Sequence, residues 1–210
     1  MNSLEYTKCL KMANEIADLT TLSPKVYKAF CQTPREIFVP IKAHAYELNP
    51  HPISGNQWIS SPLTVAKMTM ALECEDIDNV LEIGCGSGYQ AAILGKLAHR
   101  VFSIERIQKL ADSAKLRFKE LNVLNINIRY DDGIDGWKTY SPYERIIFSC
   151  ACEEISPKIF AQLKDGGLLV APMKEDGRQF IYKFKKDFDG NISKEKLEEC
   201  LFVPLLSGRE

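Results

Sequence analysis

Apolar and polar positions along the chain change period several times, and those changes mark out its elements. Between residues 4 and 19, Leu10, Met12, Ala13, Ile16, Ala17 and Leu19 stand among Lys, Asn, Glu and Asp as one stripe of a helix. Ser23-Pro24 predicts a second helix start, with serine as cap and proline in the first turn; the helix runs to about Cys31 and Pro34 stops it. From Pro34 to Pro62 no period is visible, and turn formers crowd the segment: Pro40, Asn49-Pro50, Pro52 and Gly55-Asn56. Its Phe38, Tyr46, Ile53, Trp58 and Ile59 argue for an ordered loop facing a ligand rather than for disorder. Ser61-Pro62 repeats the start signal ahead of Leu63, Val65, Ala66, Met68, Met70, Ala71 and Leu72.

After Glu75-Asp76 the pattern alternates between short apolar runs and helical stripes. It predicts strand 79–84, helix 88–98, strand 100–104, helix 106–121, strand 126–130, strand 145–149, helix 156–163 and strand 167–171. Strands separated by helices imply βαβ crossovers, hence an α/β fold with a doubly wound, mostly parallel sheet and helices on both faces. The tail differs. Phe180, Tyr182 and Phe184 alternate, Asp189-Gly190 offers a turn, and Leu201 to Leu205 is predicted to complete an antiparallel pair at the sheet edge.

Composition narrows the function classes. A chain of 210 residues, 45% hydrophobic, fits one domain with one core. A net charge of −1, without a run of five basic residues, argues against nucleic acid as the substrate. The seven cysteines, at 9, 31, 74, 85, 150, 152 and 200, are odd in number and form no C-x-x-C pair; the three histidines add no ligand spacing, so no metal is expected. Reduced thiols fit a cytoplasmic protein. Met1 to Leu22 mixes charged and apolar residues, so neither a signal peptide nor a membrane span is expected.

The chemistry gathers at Asn79 to Gly88. Val80, Leu81 and Ile83 read as a buried strand that Gly84, Gly86 and Gly88 turn into a loop, where backbone can approach a ligand without an intervening Cβ. Tyr89 stands where the dinucleotide fingerprint G-x-G-x-x-G needs its last glycine, and no Lys-Ser/Thr ending follows as in a phosphate loop. What remains is acidic. Glu82 precedes the first glycine by two positions, and Glu105, 21 positions after it, ends the next strand where a carboxylate can accept from a ribose diol.

The string Glu82-Ile83-Gly84-Cys85-Gly86-Ser87-Gly88 resembles motif I of Rossmann-like S-adenosylmethionine-dependent methyltransferases. Further stretches occur in one order: Pro34-Arg35-Glu36-x-Phe38-Val39-Pro40, Gln57-x-Ile59-Ser60-x-Pro62, Asp132-Gly133, Gln162-Leu163-Lys164-x-Gly166-Gly167 and Phe202-Val203-Pro204-Leu205. Together they resemble the protein-L-isoaspartate O-methyltransferase family over residues 20 to 206. That resemblance implies a seven-stranded Rossmann-like sheet in one domain over 1–210. Residues 1–62 would form the N-terminal helices and substrate-facing loop, 63–172 the cofactor-binding core, and 173–210 the C-terminal strands.

The resemblance also implies S-adenosyl-L-methionine as cofactor, S-adenosyl-L-homocysteine as product, and damaged proteins and peptides carrying isoaspartyl residues as partners; a monomer is expected, although no feature of the sequence fixes the oligomeric state. By the same comparison Glu105 takes the ribose, Asp132 and Gly133 lie beside the adenine, and Gly84, Gly86 and Gly88 approach the methionine portion above Glu82. Gln57, Trp58, Ile59 and Ser60 would meet the substrate, with Ser60 as the catalytic hydroxyl that positions its carboxylate. Plainer roles stay open: Ser60 and Ser61 as helix-start residues, Asp132-Gly133 as a turn, Glu105 as a helix cap.

The chemistry needs little more. A carboxylate is already anionic near neutral pH, and holding it in line supplies roughly 7–11 kcal/mol of barrier reduction. Two departures bear on substrate. Trp58 stands where the family usually has threonine, and Ser149 to Ile155 replaces a small-residue run followed by proline. A methyltransferase with another acceptor, and a cofactor-binding module without turnover, are the alternatives.

Overall fold

A computed structural model describes residues 1–210. The expected starts are built as the sequence indicates. Helix α1 (Ser3–Leu19) opens on a capping box in which Asn2 and Glu5 satisfy each other's backbone N–H groups. Helices α2 (Pro24–Cys31), α3 (Pro62–Leu72) and α6 (Pro157–Gln162) each begin at a Ser-Pro pair. In each the serine hydroxyl accepts a backbone N–H and proline occupies the first turn, where its missing N–H costs nothing.

Strands β3 (Asn79–Ile83), β4 (Arg100–Glu105), β5 (Ile126–Tyr130), β6 (Tyr143–Phe148) and β7 (Leu163–Glu175) are parallel, and β8 (Arg178–Lys186) and β9 (Ile192–Glu199) extend the sheet antiparallel. The order β5-β4-β3-β6-β7-β8-β9 makes the seven-stranded, mostly parallel sheet that the pattern and the resemblance imply. Period-two alternation sends side chains to two cores. Val80, Val101, Ile147 and Val170 pack under α1 to α4 and α5 (Gln108–Glu120), while Leu81, Phe102, Ile146 and Leu169 pack with Ile159 of α6 on the other face. The order reverses between β3 and β6, so a crevice opens beyond their C-terminal ends.

Three expectations are corrected. The 34–62 loop contains a small antiparallel hairpin, β1 (His51–Ile53) and β2 (Gln57–Ile59), turning at Gly55 and Asn56, both with positive φ. Helix α4 (Tyr89–Leu94) stops after six residues, where Gly95 meets β5: a Cβ there would lie 2.9 Å from Ile126 Cδ1. The edge partner of β8 is β9, not Leu201 to Leu205. Strand β9 is a nearly fully exposed run rich in Lys and Glu, as suits an edge that must not recruit another strand, so it shows no apolar alternation. Residues 201–205 instead cross back over the sheet, where Pro204 bridges to Ala151.

Candidate functional site

The crevice is a cleft open to solvent, floored by the β3 glycine loop and rimmed by residues 57–60 and 202–206. Gly84 and Gly88 carry φ of +91° and +90°, and Cβ atoms there would press on Cys150 Sγ at 3.4 Å and on Phe118 Cζ at 3.1 Å. Above Gly86 the nearest atom to an added Cβ is Ile53 Cδ1 at 3.9 Å, so this glycine faces the free space of the cleft. The hairpin thus leans over the loop.

Glu105 ties the floor together. Its two carboxylate oxygens accept from the N–H groups of Gly86 at 2.7 Å and Ile107 at 2.9 Å. Burial raises its carboxyl above the ordinary range, while the backbone N–H groups of Ile107, Gly86 and Arg106 oppose that rise. A carboxylate has about four lone-pair sites, so two remain for a diol. Glu82 lies wholly buried on the α3–α4 face of β3. It accepts from Ser103 Oγ at 2.5 Å and Ser149 Oγ at 2.9 Å, and burial pushes its carboxyl up to about 8 despite both hydroxyls. Cys85 and Cys150 beside it are buried, and burial holds both thiols well above their ordinary range.

Gly133 lies in the cleft wall against Ile83, and a Cβ there would lie 2.8 Å from Ile83 Cγ2. Asp132 is next to it but faces away. Its carboxylate accepts from the N–H groups of Ile134 at 3.0 Å and Gly208 at 2.6 Å, in a separate hollow beside α6. The tail is held there by further contacts, including Arg106 Nε to the Gly208 carbonyl at 2.9 Å.

On the rim, Trp58 is 52% exposed, Ile59 is buried, and the Gln57 amide bonds back to the Gly55 carbonyl at 3.2 Å. Ser60 borders the cleft, whereas Ser61 caps α3, its hydroxyl accepting from Thr64 N–H at 3.1 Å. Hence the structure brings Gln57, Trp58, Ile59, Ser60, Glu82, Gly84, Gly86, Glu105 and Gly133 around one space, while Gly88 lies outside it against Phe118 and Ala114 of α5. It turns the Asp132 carboxylate out of that space.

Sequence reasoning set the Ser149 to Ile155 run near the substrate but missed the bond of Ser149 to Glu82, and it missed Gln90 and the placement of Phe202 to Leu206 in the cleft wall. Ser149 had a signal, since it follows β6 at the point where strand order reverses. The tail stood out only as the stretch Phe202-Val203-Pro204-Leu205; its crossing, held by the bonds from Ala151 N–H to the Val203 carbonyl and from Leu205 N–H to the Ala151 carbonyl, leaves no periodic trace.

The residues present fit S-adenosylmethionine: an uncrowded glycine, a diol-ready carboxylate with free lone pairs, and a second buried carboxyl to face a cation. Fold and site together define a Rossmann-like methyltransferase using that cofactor. A family model described as protein-L-isoaspartate(D-aspartate) O-methyltransferase matches residues 9–210, and the chain belongs to that family.

Curated relatives agree. The protein-L-isoaspartate O-methyltransferase of Helicobacter pylori strain J99 is 48% identical over 94% of this chain and 95% of its own length, and that of Maricaulis maris 43% over 88% and 87%. A solved protein-L-isoaspartate O-methyltransferase superposes with a TM-score of 0.84 at 28% identity, over 92% of this chain and 64% of that longer one. A Plasmodium falciparum structure assigned to the same enzyme type, in complex with S-adenosyl-L-homocysteine, shares the fold with a TM-score of 0.82 at 20% identity, over 94% and 97%.

Proposed function

We propose that this chain transfers the methyl group of S-adenosylmethionine to the carboxylate of L-isoaspartyl residues in damaged proteins and peptides. The observation that carries the reading is that Ser60, the Glu82–Ser87 floor and Glu105 line one cleft. When bound, the cofactor supplies an electrophilic methyl carbon: a carboxylate O–C bond forms, the C–S bond breaks, and its electron pair stays on sulfur.

Everything else falls to this chain's own side chains. Glu105 holds the ribose while its bonds to Gly86 and Ile107 keep the loop open. Glu82 offers a buried carboxyl that ionises more readily beside a cation. Ser60 donates to one carboxylate oxygen and leaves the other free to attack; no base is needed, since the acceptor is already an anion near neutral pH. Cys85 and Cys150 line the same cleft and would compete for the methyl as thiolates; burial keeps them protonated.

Gly133 lies at the adenine edge by this reading, with Asp132 held beside it by the tail. We read the enzyme as a cytoplasmic monomer without nucleic acid partners. Its net charge of −1 and seven free cysteines support that reading, and no helix is long and apolar enough to cross a membrane. Trp58, exposed where its family usually has threonine, supports a second reading in which the acceptor differs.

Radiolabelled transfer to matched isoaspartyl and aspartyl peptides separates the two. Base-labile label on the isoaspartyl peptide alone is the expected result. Label on neither, with cofactor binding intact by calorimetry, would leave the fold and remove this substrate.

A further inference from the structure

Arg35 is the largest wholly buried side chain in the protein, at 0% exposure, and it has no carboxylate partner. It sits in the single 3-10 turn Arg35–Ile37 that follows Pro34. Its guanidinium makes one hydrogen bond, from Nη2 to the Ser60 carbonyl at 2.7 Å, and lies over the Tyr89 ring, 4.6 Å from its centroid. Nε, Nη1 and the Tyr89 hydroxyl are all buried without a partner. Ser60 and Tyr89 both line the cleft, so Arg35 stands directly behind two of its walls.

Such a side chain is poor packing material. Removing a cation from water costs several kcal/mol by general estimates, and apolar residues of similar volume commonly replace buried ions at no loss of stability. Burial lowers the guanidinium to about 10, which still leaves it charged at neutral pH. Besides the face of the Tyr89 ring, the one protein group that receives its charge is the peptide unit carrying the Ser60 carbonyl. That unit lies on an extended stretch between β2 and α3, where no other backbone bond fixes the Ser60 carbonyl.

We propose that Arg35 is a positioning residue for methyl transfer: its bond to the Ser60 carbonyl and its stacking on Tyr89 fix the peptide plane that aims the Ser60 hydroxyl, and its unpaired charge lies behind the place where the substrate carboxylate binds. This rests on the reading of Ser60 given above. The consequence is a separation of stability from activity. An apolar side chain of similar length preserves the fold and loses the aim, and lysine restores the charge without the planar fork and recovers part of the function.

The test compares Arg35→Met, Arg35→Lys, Ser60→Ala and the double variant Arg35→Met/Ser60→Ala, using an isoaspartyl peptide and S-adenosylmethionine. Arg35→Met is expected to melt within a few degrees of the parent or above it, to bind S-adenosylmethionine within about twofold, and to lose at least thirtyfold in peptide kcat/KM. Arg35→Lys falls between, and the double variant is no worse than about threefold below Ser60→Ala alone, because both changes remove one function. Parent-like peptide kinetics in Arg35→Met, or fully additive losses in the double variant, would overturn the proposal.

Should Arg35→Met fail to fold, Arg35→Lys carries the same comparison against Ser60→Ala. An active Ser60→Ala enzyme sinks the Ser60 reading and the Arg35 proposal with it. An inactive Ser60→Ala beside an active Arg35→Met sinks the Arg35 proposal alone.

Discussion

The floor of the cleft and its rim are made of different material. Glu82, Ile83 and Cys85 on the floor are all under 5% exposed, and Glu105 is 5% exposed; its bonds run between neighbouring strands and the loop they support. The rim comes from a hairpin at 51–59 and a returning tail at 202–206, segments far apart in sequence, and its most prominent side chain, Trp58, is half in solvent. A floor locked by buried polar bonds suits a constant ligand such as a cofactor. A rim with exposed aromatic surface suits a partner that varies, as damaged peptides do.

Variants that touch one region and not the other can break that division. The largest effect falls on the floor. Glu105→Gln loses the ionised acceptor beneath the ribose and weakens the bonds to Gly86 and Ile107. At roughly 1.5–3 kcal/mol for a charge-assisted hydrogen bond, the dissociation constant for S-adenosylmethionine should rise by about ten- to a hundredfold in calorimetry, with peptide KM little changed. On the rim, Trp58→Thr should raise the KM for isoaspartyl peptides by about three- to tenfold, the scale of one aromatic contact, without moving the melting temperature or cofactor affinity. A loss of cofactor binding in Trp58→Thr would erase the distinction.

A subtler effect is in pH. Between the ordinary carboxyl value of 4.5 and about 8, the unfolded chain has released the proton that buried Glu82 retains. The native state then binds more protons, so this group's contribution to stability falls as pH rises through that window and levels off above it. Thermal unfolding at about pH 5.5 and 8.5 should show a smaller decline in Glu82→Gln than in the parent. An equal decline in both would place the effect elsewhere. The smallest change is Ser61→Ala, which removes the α3 cap and should cost about 1 kcal/mol in denaturant unfolding while leaving transfer intact.

The same division explains what could be read from the sequence. The floor follows from local rules: a strand's apolar period, glycines where φ must be positive, and an acid at the next strand's end. Ser-Pro starts and the βαβ rhythm likewise delivered most elements to within a few residues. The hairpin escaped because each arm is three residues long, too short for any period to register. Strand β9 escaped because an edge strand of Lys and Glu looks like a solvated loop, which sent the pairing to the more apolar 201–205. The family resemblance sets Asp132 with Gly133 beside the adenine, while the tail at Gly208 engages its carboxylate outside the cleft, a contact 76 residues apart in sequence. Arg35, inside a recognisable motif, gave no hint that it would be buried without a counter-ion.

The most direct test of a separable floor and rim is to measure cofactor binding and methyl transfer together in Ser60→Ala. The account predicts a dissociation constant for S-adenosylmethionine within about twofold of the parent and a loss on the order of a hundredfold in kcat/KM for an isoaspartyl peptide, the scale of a misplaced reacting group. Transfer at the parent rate, or a parallel loss of cofactor affinity, would contradict it.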